Sequence, residues 1–176
     1  MDSNLAVFYL SILLVLLCGV GITIFRQIFK TRKLETSLAR LQNKLAKDKG
    51  TTQEHYELGS IYLNKKLYSQ AISTLQKALK TAEEEGEENI APIYNALGYS
   101  YFAQEQYDLA IRQYKEALKQ NSNYVTALNN LGHVYERKNL TAQALQTYEQ
   151  VLESEPQNNT AKRRAESLRK RVATST

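Results

Sequence analysis

Several chemistries are missing from this 176-residue chain. One Cys excludes an intramolecular disulfide framework and any multi-thiolate zinc site. The two His, His55 and His133, stand too far apart for a local metal motif. With 2 Pro, 7 Gly and no Trp, a loop-rich all-β fold is not expected. No nucleophile elbow, P-loop or dinucleotide fingerprint occurs, so the chain does not read as an enzyme. No cofactor, metal or small-molecule substrate is expected.

Charge is unevenly placed. Residues 1–51 carry 8 cationic and 3 anionic side chains, residues 52–158 carry 9 and 14, and residues 159–176 carry 6 and 1. The middle is acidic and only the ends are basic. That suits an anionic membrane surface better than nucleic acid, which is not an expected partner.

Leu5 to Phe25 form an uncharged, mostly apolar run of 21 residues. As a helix it spans about 30 Å, one bilayer core. Arg26, Lys30, Arg32 and Lys33 follow, and only Asp2 precedes. A cleaved signal peptide has the opposite order of charge and a small-residue cleavage site. Residues 1–25 therefore read as a transmembrane anchor, with the cationic flank and all that follows on the cytoplasmic or stromal side. Cys18 lies within the run and reads as a small apolar residue. Gly19 and Thr23 have small-xxx-small spacing, a pattern too common to mean much alone.

Residues 26–50 read as a basic juxtamembrane helix and linker, helical to Lys47. Leu34, Leu38, Leu41 and Leu45 form a short a/d stripe that can pack on a repeat or on a partner. Gly50 is expected to end this helix. Thr51 and Glu54 have the spacing of a capping box, which starts the next one.

The rest is self-similar. The strings ELGSIY, ALGYSY and NLGHVY place Gly at 59, 98 and 132 and Tyr at 62, 101 and 135. Each is followed at fixed spacing by an Ala (Ala71, Ala110, Ala144), a large residue (Leu75, Tyr114, Tyr148), then Ala78, Ala117 or Val151. This pattern resembles the tetratricopeptide repeat (TPR), which implies an all-α array of helix pairs stacked into a right-handed superhelix. Repeats are expected at 52–85, 91–124 and 125–158. Each Gly is expected to let helix A approach the small Ala residues of helix B, with Tyr filling the remaining hollow. The first repeat is the most degenerate. Five extra residues, 86–90, fall in the acidic string EEEGEEN, where carboxylates oppose the helix dipole and fraying is expected. Residues 159–176 read as a basic capping helix and tail, with Ala161, Ala165 and Leu168 on the helix's apolar face.

The TPR resemblance implies a concave binding groove lined by helix A residues. Tyr56, Asn64, Asn95, Tyr99, Phe102, Asn129, Asn130 and His133 fall at those positions, with Glu57, Ser60, Glu136 and Arg137. Amides can bond a peptide backbone in both directions, and Tyr rings supply rigid area with a polar tip. The cationic clamp of chaperone-binding TPRs is not matched, because its positions hold Tyr56, Ser60, Ala96, Thr126 and Asn130.

The segments PIYNALGYSYFAQEQYDLAIRQYKEAL, YVTALNNLGHVYERKNLTAQALQTYEQ and TAKRRAESLRKR, with the anchor, resemble the small thylakoid TPR proteins of cyanobacteria and algal plastids. That family is implicated in photosystem I assembly and stability. The resemblance covers nearly the whole chain and is densest from Pro92 to Arg171. It implies a single-pass thylakoid membrane protein that binds photosystem I subunits or assembly intermediates. A related TPR photosystem I factor lacks the span, so the anchor separates the two. Two alternatives are a membrane-anchored TPR receptor for import, secretion or envelope assembly, and a scaffold oligomerising through the Leu34–Leu45 stripe.

Overall fold

The computed structural model describes residues 2–173; the final residues of the expected tail, 174–176, lie outside the described residues. All regular structure among them is helical. The chain divides into two compact units, Met1–Lys47 and Asp48–Thr176.

The first unit is one unbroken helix, α1 (Asp2–Leu45), which the lack of Pro throughout it and of Gly between Gly21 and Gly50 allows. It is long and apolar enough to cross a membrane. Val7, Leu10, Leu14, Leu17, Ile24 and Phe25 are all exposed, so this part of the helix is apolar on every side. Its hydroxyls are satisfied within the helix. Ser11 donates to the Phe8 carbonyl at 2.7 Å and Thr23 to the Val20 carbonyl at 2.8 Å, as a span without water requires. The helix stops at Leu45, short of the expected Lys47 and Gly50, and Gly50 sits in the connecting segment at φ 72.

The second unit holds seven helices. Three pairs are α2 (Thr52–Asn64) with α3 (Tyr68–Glu85), α4 (Ala91–Ala103) with α5 (Tyr107–Gln120), and α6 (Val125–Arg137) with α7 (Thr141–Ser154). A last helix, α8 (Asn159–Ala173), follows. The capping box forms: the Glu54 N–H donates to Thr51 Oγ1 at 3.3 Å, and the Thr51 N–H to the Glu54 carboxylate at 3.2 Å. At α8, the Ala161 N–H donates to Asn158 Oδ1 at 3.0 Å.

Within each pair the turn is the same Schellman motif. Leu67, Gln106 and Leu140 donate their N–H groups to the carbonyls of Tyr62, Tyr101 and Tyr135, each at 2.9 Å. The motif needs a left-handed residue, and here it is Lys66, Glu105 and Asn139, at φ 59, 59 and 57. None is Gly, so each turn carries strain.

Packing inside a pair sharpens one expectation. The atoms nearest each glycine belong to the large residue of helix B. A Cβ on Gly98 would meet Tyr114 Cε1 at 2.6 Å, one on Gly132 the Tyr148 Cζ at 2.8 Å, and one on Gly59 the Leu75 side chain at 2.7 Å. The large residue of helix B lies directly on the glycine, while Ala71, Ala110 and Ala144 are fully buried elsewhere in the contact. A flat ring needs a flat seat, and hydrogen is the only side chain that leaves one.

The acidic junction is a longer helix end followed by a loop. Helix α3 runs intact to Glu85 and ends on Gly86 in the left-handed region. It has 18 residues against 14 in α5, so the extra helical length lies before Gly86, and 86–90 form the loop. Its carboxylates find donors. Lys49 pairs with Glu84, and the Thr52 N–H donates to Glu85 at 3.3 Å.

Helix α8 closes the array. Ala161, Ala165 and Leu168 are buried in one cluster with Tyr114, Leu128, Leu131, Val134, Tyr148 and Val151, so repeats two and three and the cap share a core. Helix α2 contacts α4 and α4 contacts α6, so the first helices of successive repeats line one side.

Candidate protein-binding groove

Helices α2, α4 and α6 form the wall on which the predicted groove residues fall. A groove of about 590 Å³ gathers Tyr56, Asn64, Asn95, Tyr99 and Asn130 with Ser60, Leu63, Ala96, Lys66 and Tyr68. Asn130 donates through Nδ2 to Asn95 Oδ1 at 3.0 Å. That bond ties α6 to α4 and leaves each amide one free group, a carbonyl on Asn130 and an N–H₂ on Asn95. One acceptor beside one donor matches the two polar groups of a peptide unit. Tyr99 is 44% exposed and stands over this pair on the next turn of α4.

Phe102 and His133 belong to a separate aromatic cluster. Their rings are 5.0 Å apart, and the Tyr107 ring lies 5.8 Å from Phe102. Arg137 covers the Tyr107 ring at 5.9 Å and donates to its hydroxyl at 3.0 Å. Burial against this cluster, and then the Arg164 charge, hold the His133 imidazole below its usual range.

Two predicted positions behave differently. Asn129 is not among the residues gathered in the 590 Å³ groove, and its Oδ1 is buried without a hydrogen bond. Glu136 is committed to the fold: its carboxylate accepts from the Tyr148 hydroxyl at 2.7 Å and from Arg164 at 3.4 Å. Burial and this carboxylate push the Tyr148 phenol well above its usual range. Sequence reasoning omitted Lys66 and Tyr68, which the α2–α3 turn brings to the groove, and Tyr107. The aromatic that opens the second helix of repeats one and two, Tyr68 and Tyr107, was the available signal.

The groove is uncharged apart from Lys66, so it does not offer the cationic clamp that a terminal carboxylate needs. Its chemistry is that of an amide-and-tyrosine surface with one cation at its edge.

Comparisons with known proteins agree with this geometry. Residues 55–85 and 127–162 match models described as tetratricopeptide repeat, and residues 93–139 match one described as TPR repeat. Over 164 residues the chain is 38% identical to the uncharacterized protein ycf37 of Cyanophora paradoxa, covering 93% of this chain and 95% of that one. The chain belongs to the ycf37 family. Like ycf37, the chloroplastic tetratricopeptide repeat domain-containing protein PYG7 of Arabidopsis thaliana resembles it throughout. Identity is 37% over 172 residues, and the match covers 97% of this chain and 56% of PYG7. A shorter stretch of 81 residues, 43% of each chain, is 36% identical to the photosystem I assembly protein Ycf3 of Prochlorococcus marinus. Among solved structures, YrrB, titled a TPR protein with an unusual peptide-binding site, superposes with a TM-score of 0.65 at 25% identity. That superposition covers 81% of this chain and 71% of YrrB.

Proposed function

We propose that this ycf37-family chain is a thylakoid scaffold for photosystem I assembly. Its apolar helix anchors it in the membrane, and its groove holds a photosystem I subunit or partly built complex on the stromal or cytoplasmic side. The observation that supports the photosystem reading is the likeness of the repeats to a protein named for photosystem I assembly.

Arg26, Lys30, Arg32 and Lys33 lie just past the apolar run and favour the cytoplasmic or stromal face. In this reading residues 1–25 are the anchor, 26–50 the juxtamembrane linker, 51–158 the three repeats and 159–176 the cap and tail. Tethering restricts the groove to the membrane where its partners lie, which raises their local concentration without adding contacts. The groove itself can then bind weakly. An extended segment would lay its backbone against Asn95 and Asn130 and its side chains against Tyr56 and Tyr99.

The test replaces the native gene with one lacking residues 1–25. The truncated protein should leave the membrane fraction, and photosystem I should fall relative to photosystem II. Protease added to the stromal face of intact membranes should digest the repeats of the full chain. Full photosystem I with a soluble protein, or repeats protected from stromal protease, would overturn the anchored reading.

A further inference from the structure

The second helices of the repeats carry a feature that the groove does not use. Residues 52–158 are acidic in sum, yet Lys77 and Lys80 on α3 and Arg112, Lys115 and Lys119 on α5 are all exposed. On α5 the three cations follow helical spacing along one stripe. The opposite faces of both helices are the buried ones, through Ala71, Leu75 and Ala78 on α3 and Ala110, Tyr114 and Ala117 on α5. Both helices pack on α4, and Gln76 of α3 reaches it through the Tyr101 hydroxyl at 3.3 Å. The cations therefore share the face away from the shared core. Lys119 pairs with Glu116 at 2.8 Å, and Lys80 lies near enough to Glu84 to help lower its carboxyl. The enrichment stops at repeat three, where the positions matching Arg112, Lys115 and Lys119 hold Gln146, Glu149 and Glu153.

The α5 stripe ends beside a cavity of about 580 Å³. Leu118 and Leu128 supply its apolar lining, and Ser122, Asn123, Gln150 and Glu153 its polar lining. Cations leading to a part-apolar cavity are the usual elements of a protein docking site: charge steers the approach and a cavity takes one anchor side chain.

We infer that this B-helix face is a second docking surface, separate from the groove, for an acidic protein segment that carries one apolar anchor residue. Carboxylates of the segment meet Lys77, Arg112 and Lys115, and the anchor enters the cavity beside Leu118. One observation favours a protein over a lipid surface: the net negative charge of the repeats is repelled by an anionic bilayer. The inference stands whether or not the partner of the groove belongs to photosystem I.

The full chain in neutral-lipid nanodiscs tests it. The probe is a labelled helical peptide with Glu along one face and a single Phe, and binding is read by fluorescence anisotropy. Combined Lys77→Glu, Arg112→Glu and Lys115→Glu should weaken binding by about tenfold or more, as should raising the salt. Gln150→Trp, which fills the cavity mouth, should weaken it without changing the salt dependence. Tyr99→Ala, in the groove, should leave it unchanged. Circular dichroism confirms that each variant remains helical. Binding within twofold of wild type after charge reversal overturns the inference. So does an equal loss with Tyr99→Ala, or capture of phosphatidylglycerol vesicles by these cations without capture of the peptide.

Discussion

The first repeat and the two that follow build the same contact from different residues. In repeats two and three a tyrosine ring lies flat on a glycine, Tyr114 on Gly98 and Tyr148 on Gly132. In repeat one a leucine, Leu75, occupies that seat on Gly59. Leu75 is as fully buried as either ring, and it meets an added methyl group through Cγ as well as Cδ2, where the tyrosines present a ring face. The glycine is therefore needed in all three repeats, and the first adds contacts of its own at its outer end: the Thr51–Glu54 box, the longer α3 and the Lys49–Glu84 pair. Sequence degeneracy in repeat one thus accompanies a change in how the helix pair is held, with no loss of the pair itself.

The hydroxyl of the third ring is the strongest handle on this difference. Tyr148→Phe removes the bond to Glu136 and leaves a carboxylate short of a donor. It should cost about 1.5–3 kcal/mol, read by urea denaturation of the detergent-solubilised chain. Tyr114→Phe should cost less, because no carboxylate bonds its hydroxyl. Equal losses would mean that the Glu136 bond adds nothing.

The glycines come next. Gly98→Ala and Gly132→Ala should each destabilise by about 1–3 kcal/mol through overpacking. Gly59→Ala should destabilise over the same range, because the added methyl meets Leu75 at both Cγ and Cδ2 and that side chain is fully buried. Unchanged stability in any one repeat would contradict the close approach found there.

Smaller effects sharpen the comparison. Thr51→Ala, which removes the cap found only on α2 among the three first helices, should cost about 1 kcal/mol. Glu105→Gly and Lys66→Gly relieve left-handed strain at the turns and should be neutral or stabilising by up to about 1 kcal/mol. The smallest effect is one of pH. His133 is held below its usual range when folded, so between the two pKa values the unfolded chain binds more protons. Stability should decline as pH falls below about 6.5, the unfolded value, and the decline should stop once the folded imidazole is also protonated. His133→Gln should flatten that part of a stability–pH profile.

How much of this was legible in the sequence follows from distance along the chain. The LGxxY spacing located the helix pairs because it repeats locally, and the Thr51–Glu54 spacing marked a helix start three residues away. Asn64, Asn95, Tyr99 and Asn130 were named from the TPR resemblance and do converge on one groove. What neither repeat spacing nor that resemblance could give were contacts between remote residues. Glu136 looked like a groove residue, but Arg164, 28 positions on, holds it in the fold. The acidic end of α3 looked prone to fray, but its donors, Lys49 and Thr52, come from the other end of the repeat. The glycines were read as facing alanines because residue size suggests small against small, whereas the atoms nearest them belong to Leu75, Tyr114 and Tyr148. The left-handed Lys66, Glu105 and Asn139 carry no glycine to betray them. Only their fixed place after each LGxxY string does.

A role of the amide-and-tyrosine groove in photosystem I assembly, as proposed, would be read in the ratio of photosystem I to photosystem II in cells whose only copy carries Asn95→Ala and Tyr99→Ala. Both residues reach the groove, and Tyr99 is largely outside the core, so the variant protein should accumulate normally in the membrane. The account predicts a photosystem I ratio lowered toward that of the deletion strain. A wild-type ratio with the double variant, in a background where deletion lowers it, would contradict the account.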